Sequence, residues 1–475
     1  MRPILAIILL CTAINGAAQN YHAVQGSFYS GSLNIANNPA TMLNTPYKWD
    51  VTVLGMQLKN ATNIFTIHDY SLLSSPRQSA YALDSGEYAR RALIGFNANI
   101  FNARITLNRR EAIGFGLNLR GYVRMQSSKY SFIDTIVNTA DFLNMNQQNQ
   151  PLDVQVTGST WIEIFGSYAR TIVETAKGRL NTGITIKASR GIAGAHLTVE
   201  NIRFNKEIFA NRQQNVLANA RASYGYSANF DRWHKERKSN QNLRDLVTYS
   251  DGGISIDAGV EYLIKTQEVP GYEDDDYYDY NWKISLSLLD AGLNQYRYGR
   301  ESRTIQGMRP EMIDTLLDDK FRDAASFGQV NDTLETVVQN MTTPRGNFTV
   351  LNPMRIVLNA DRFLRDDFYI NGEISFNLSG MFKKYHHVKE LNFITITPRW
   401  ETRRWGVFLP MQYNAAGKFW VGGAFKAGPL LLGFHNWGNV FSKKSMQNGG
   451  GYIALTIRSW NDSWNKRDRR LDCPE

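Results

Sequence analysis

The chain offers seven histidines, two cysteines and a spread of carboxylates as raw material for chemistry. None falls into a spacing that builds a catalytic or metal site. H-E-x-x-H, G-x-S-x-G and spaced Cys/His sets are all missing. His386-His387 reads as a solvated polar turn rather than a pair of metal ligands. Glu273-Asp274-Asp275-Asp276 stands beside Tyr277, Tyr278 and Tyr280 but lacks the calcium-loop spacing, so it reads as a solvated loop. Gly449-Gly450-Gly451 precedes a strand pattern rather than a helix, which excludes a phosphate loop. The expectation is a protein that is no enzyme, with no cofactor and no metal.

A second set of polar residues is better organised. Arg120, Arg124, Lys187, Asp257, Glu261 and Glu373 each sit inside a run that alternates apolar and polar side chains. Alternation with period two puts the sets on opposite faces of a strand. The clearest run is Phe368–Phe382. Phe368, Ile370, Ile374, Phe376, Leu378 and Phe382 lie on one face, with Tyr369, Asn371, Glu373, Ser375 and Asn377 on the other. Such a run exceeds the usual globular strand of about 5–6 residues and suits one crossing a bilayer at a tilt, about 9–11 residues. The six charges then point into a lumen. Two readings stand: they pair and hydrate a polar interior, or they anchor an inner segment and line a path.

The elements that would position them are strands throughout. Sixteen runs qualify, among them Lys48–Leu58, Glu111–Arg124, Leu180–Ser189, Ala195–Phe204, Val216–Phe230, Ile254–Lys265, Trp282–Tyr298 and Tyr452–Trp460. Short turns near 109, 177, 365, 402 and 428 fall on one side. Long connections at 59–91, 131–157, 231–252 and 299–352 fall on the other, the asymmetry of an outer-membrane barrel. Trp282, Tyr296, Trp400, Trp405, Trp437 and Trp460 stand at strand ends, as interfacial girdles require. Hydrocarbon offers backbone groups no partner, so a spanning sheet must close on itself. The predicted fold is all-β: a transmembrane antiparallel up-and-down β-barrel. The competing soluble sandwich or propeller would show shorter strands and less lopsided loops.

The ends fit the same reading. Arg2, the apolar stretch Ile4–Thr12 and Gly16-Ala17-Ala18 form a secretory signal, placed at 1–18. Its removal takes Cys11 and leaves Cys473 alone, so no internal disulfide is expected. Residues 19–47 are rich in Gly, Asn and Ser without periodicity. The barrel is placed at 48–460 and a charged periplasmic tail at 461–475. The formal net charge is +10. With an export signal it points to anionic outer-membrane lipid as partner, not nucleic acid.

Asn38-Pro39-Ala40, about ten residues before the first strand, resembles the NPA motif of the FadL-type (long-chain fatty-acid transporter-like) outer-membrane barrels. The strand texture of 252–263 and 178–191 is similar as well. The resemblance implies 14 strands and an N-terminal hatch folded inside the barrel, with relatives in a Bacteroidota branch of unknown function. Its implied activity is passive uptake of a hydrophobic or amphipathic small-molecule ligand. The alternative is a non-transporting scaffold or shuttle, as in the type IX secretion barrel, with a protein partner of that system. Pro39 fixes φ, Asn38 can cap a turn, and Ala40 allows close packing. The motif is either a rigid hatch elbow or a surface turn.

Overall fold

The structure, a computed structural model, describes residues 21–69, 71, 80–136, 138–209, 211–234, 236–265, 280–382, 384–414, 417–438, 443 and 445–459. The signal sequence, both cysteines, the acidic run 273–276, Trp460 and the tail lie outside the described residues.

Fourteen strands make the wall. They are β1 (Trp49–Thr62), β2 (Gly86–Asn108), β3 (Glu111–Phe132), β4 (Leu152–Glu174), β5 (Gly178–Phe209), β6 (Gly252–Ile264) and β7 (Trp282–Arg297). There follow β8 (Arg355–Arg365), β9 (Phe368–Asn377), β10 (Phe393–Glu401), β11 (Trp405–Phe408 and Met411–Asn414), β12 (Phe419–Val421 and Gly423–Ala427), β13 (Leu430–Phe434) and β14 (Asn448–Gly449 and Gly451–Arg458). Each pairs antiparallel with the next. β14 returns to β1, with Arg458 opposite Asp50 and Tyr452 opposite Gln57, so the wall has no free edge.

Alternation decides which face each residue takes. On β9, Phe368, Ile370, Ile374 and Phe376 are exposed outside, while Tyr369, Asn371, Glu373 and Ser375 are buried inside. The same split recurs around the wall, with Ile164, Ile186, Ile256, Leu286, Leu358, Ile396, Phe425 and Ile457 all outward and exposed. A water-soluble monomer rarely exposes an apolar patch beyond a few hundred Å². A continuous ring of branched aliphatics is the lipid belt of a transmembrane barrel. Trp49, Trp282, Trp405 and Phe368 are exposed at the end with the short turns. Tyr296 corrects the expected girdle: it is 1% exposed and points into the lumen.

Four of the sixteen runs resolve differently. Leu180–Ser189 and Ala195–Phe204 are one strand, because β5 continues through Gly191 and Gly194. Val216–Phe230 is not in the wall. Arg212–Tyr226 pairs with the upper half of β5 and then with Arg303–Met308, above the belt. The run Phe368–Phe382 stops at Asn377 and turns through a 3₁₀ segment, Ser379–Met381. Asp366-Asp367, both at positive φ, close the two-residue turn before it.

Candidate functional site

The lumen is filled from both ends. From the short-turn end, residues 21–47 fold inside the wall as three 3₁₀ segments, His22–Val24, Gly31–Asn34 and Pro39–Leu43. A segment without strand pairing must satisfy its backbone some other way. Here inward side chains all round the barrel do so. Ser287 Oγ of β7 donates to Asn37 O at 2.8 Å. Arg104 Nη1 of β2 donates to Met42 O at 3.0 Å and Nη2 to Tyr47 O. Arg399 of β10 and Lys283 of β7 both donate to Gly26 O. Asp50 of β1 accepts from Ser32 N at 2.5 Å and pairs with Arg104 at 2.6 Å, both side chains fully buried. Only a lumenal segment can touch β1, β2, β7 and β10 together. The gap left against the wall near Gln25, Asn38 and Glu261 is about 10 Å³, at the limit for one water.

The Asn38-Pro39-Ala40 elbow has a fitted seat. Asn38 Oδ1 accepts from Ala40 N at 2.9 Å and Asn38 Nδ2 donates to Val260 O at 3.1 Å. Pro39 takes the first helical position, where its missing N–H costs nothing. The wall facing it carries Gly183 of β5 and Gly259 of β6, directly paired in register. A Cβ on Gly183 would stand 2.5 Å from Ala40 N, and one on Gly259 2.0 Å from Asn38 Oδ1. Two opposed glycines thus form the dimple that receives the elbow.

Above the hatch lies a layer of charge centred on Asp290. It sits at a register shift between Leu288 and Ala291, at φ +56°, and is 1% exposed. Its carboxylate meets Arg120 Nη1 at 2.5 Å, Lys187 Nζ at 2.7 Å and Arg355 Nη1 at 3.3 Å. Lys187 also meets Asp257 at 2.7 Å, and Asp257 accepts from Asp290 N at 2.7 Å. Arg355 reaches Glu390 at 2.6 Å.

The structure therefore brings Arg120, Lys187 and Asp257 together. Glu261 lies lower, accepting from Asn181 at 3.2 Å beside the hatch. Arg124 lies higher, donating to Gln126 at 2.6 Å. Glu373 is buried on β9 opposite Asn359. Asp290, the hub, escaped sequence reasoning, though a signal existed. It shares parity with Ile284, Leu286 and Leu288, which face lipid, and a carboxylate in that register requires a bulge.

The other end is closed by the connection between β9 and β10. His386-His387 pairs in parallel with Val350-Leu351, so it is no solvated turn. The connection bends into the mouth, and its Val388 is 0% exposed. Val388 packs with Tyr122, Trp161, Tyr296, Phe348 and Val350. His386 stacks on His196, ring centres 3.9 Å apart. His196 lies on the upper part of β5, which pairs with Arg212–Tyr226. Burial, with His386 adding a smaller effect, lowers the His196 pKa to about 3.

Comparison with known proteins adds a family. No curated protein matches the chain. Among solved structures it is similar to the toluene transporter TodX of P. putida, at 10% identity over 91% of this chain and 95% of that one, TM-score 0.43. It is likewise similar to a FadL homologue of Pseudomonas aeruginosa (9%, covering 90% and 93%, TM-score 0.40). A third is the toluene transporter TbuX of Ralstonia pickettii (9%, 90% and 94%, 0.38). Residues 39–435 match the model of a family of unknown function, DUF5723, and the chain belongs to that family.

Proposed function

We propose that this protein is an outer-membrane barrel that admits hydrophobic or amphipathic small molecules passively, with residues 19–47 as a movable hatch. One observation carries the reading. The segment that closes the lumen is held to the wall by hydrogen bonds and a glycine dimple, with no strand pairing to the wall among its described residues and a single chain connection, into β1. A plug held this way can leave its seat while the belt and the closed ladder keep the barrel intact. The charged layer around Asp290 favours passengers with a polar group over pure hydrocarbon, because an apolar solute offers those charges no compensation. Asn38, Pro39 and Ala40 act as the elbow, and Arg120, Lys187 and Asp257 line the path above it. No observation favours the shuttle reading.

Deletion of Gln19–Thr45 tests the proposal. The barrel should still resist SDS until heated, and small-solute flux into proteoliposomes should rise well above that of the intact chain. A folded barrel with unchanged flux overturns it.

A further inference from the structure

At the outer rim, beside the inward-folded connection, a cleft of about 370 Å³ opens over β11 and β12. Thr66, Lys418, Asn436, Ser445 and Gln447 border it, and Trp420 forms part of its wall. The volume is at the low end for small-ligand sites, about 300–1,000 Å³.

Trp420 belongs to a row. Thr395 of β10 pairs in register with Gln412 of β11, and Gln412 with Trp420 of β12. All three point inward and are 2%, 2% and 3% exposed. Thr395 Oγ1, both Gln412 amide atoms and Trp420 Nε1 have no hydrogen-bond partner among the described residues. A buried polar atom left unpaired costs about 1–3 kcal/mol. Three side chains on adjacent strands sharing this condition, at one level and next to a cleft, need a common explanation.

We infer that the row and the cleft form a binding site for an uncharged, hydroxyl-bearing small molecule such as a sugar. This goes beyond the uptake reading, whose passengers are hydrophobic or amphipathic, and assigns the outer rim a separate ligand class. The donor and acceptor types select the ligand. Indole N–H only donates, the amide does both, and the threonine hydroxyl does both. A carboxylate cannot use the amide N–H and O together, and an ammonium group cannot use the indole. A hydroxyl accepts and donates, so adjacent hydroxyls satisfy the whole row. Lys59 Nζ lies 4.1 Å over the Phe393 ring and 5.8 Å over Trp420, which further excludes a cationic ligand.

The test uses the full chain in an amine-oxide detergent, since sugar-headed detergents would compete. Methyl β-glucoside, methyl β-galactoside, maltose, toluene and benzoate are titrated calorimetrically. At least one neutral sugar should bind saturably, with toluene and benzoate weaker. Trp420→Phe and Gln412→Leu should each weaken the sugar about tenfold or more. Thr395→Val, nearly isosteric, provides the same readout should either of the others fail to fold. Absence of saturable sugar binding, or binding untouched by every folded variant, overturns the inference. Because the assay involves no transport, its failure is distinguishable from failure of the hatch reading.

Discussion

A methyl group at Gly183 is the sharpest perturbation of the hatch. The added Cβ would stand 2.5 Å from both Ala40 N and Pro39 C, and 2.8 Å from Pro39 O. Carbon contacts are comfortable near about 3.5–4 Å, so the elbow must retreat by about 1 Å. These are backbone atoms, which no rotamer change can move aside. Overpacking of this kind costs about 1–3 kcal/mol. Retreat also breaks the Asn38–Val260 hydrogen bond and strains the Asn38–Ala40 one, worth about 1 kcal/mol each. The combined loss of about 3–5 kcal/mol raises the unseated fraction by about a hundredfold to several thousandfold, at about 1.4 kcal/mol per decade. Gly183→Ala should therefore raise conductance in planar bilayers while the heat-dependent SDS shift stays unchanged. Gly166→Ala is the matched control, since a Cβ there meets nothing within 4 Å. Conductance of Gly183→Ala equal to that of Gly166→Ala would refute the reasoning.

Other consequences follow from the same geometry. Asp290→Ala leaves Arg120, Lys187 and Arg355 buried without their shared carboxylate, and should lower the temperature of the SDS shift through a loss of about 3–5 kcal/mol. Arg104→Met removes the donors to Met42 O and Tyr47 O and should expose the hatch to proteases that spare the wall. Pro39→Gly frees the elbow's φ and should raise leak of small solutes, read as bilayer conductance. Acidification should loosen the mouth. The His196 pKa is about 3 when folded against about 6.5 unfolded. The unfolded side then binds more protons, and stability is full above about pH 6.5 and falls as pH drops. Protection factors in the β9–β10 connection, corrected for the slower intrinsic exchange at low pH, should fall from pH 7 to pH 4.5, and His196→Phe should lessen that fall.

Much of the wall was legible because lipid on one side and a polar interior on the other enforce strict alternation. The surplus over fourteen strands has a physical source. Gly191 and Gly194 interrupt the pattern of β5 like a strand end, yet the strand passes through them. Both lie against the ring of Tyr296, where a Cβ would meet it at 2.4 Å. Val216–Phe230 alternates as a wall strand does, and period alone cannot say whether a hairpin stands in lipid or above it. The hatch was harder. Its Gly, Asn and Ser residues mark irregular backbone, but its partners are arginines, serines and an aspartate from distant strands. No local pattern announces them. Thr395, Gln412 and Trp420 share a level only once the register of β10, β11 and β12 is set.

The central claim is that the N-terminal segment lies inside a closed, lipid-facing wall. Ser32 Oγ and Thr52 Oγ1 are 2.9 Å apart, hatch to β1. Ser32→Cys with Thr52→Cys, in a Cys473→Ser background, should form a disulfide in intact cells, leaving no free thiol for a maleimide added after denaturation. Two freely reacting thiols in a barrel that still shows its heat-dependent shift would contradict the account.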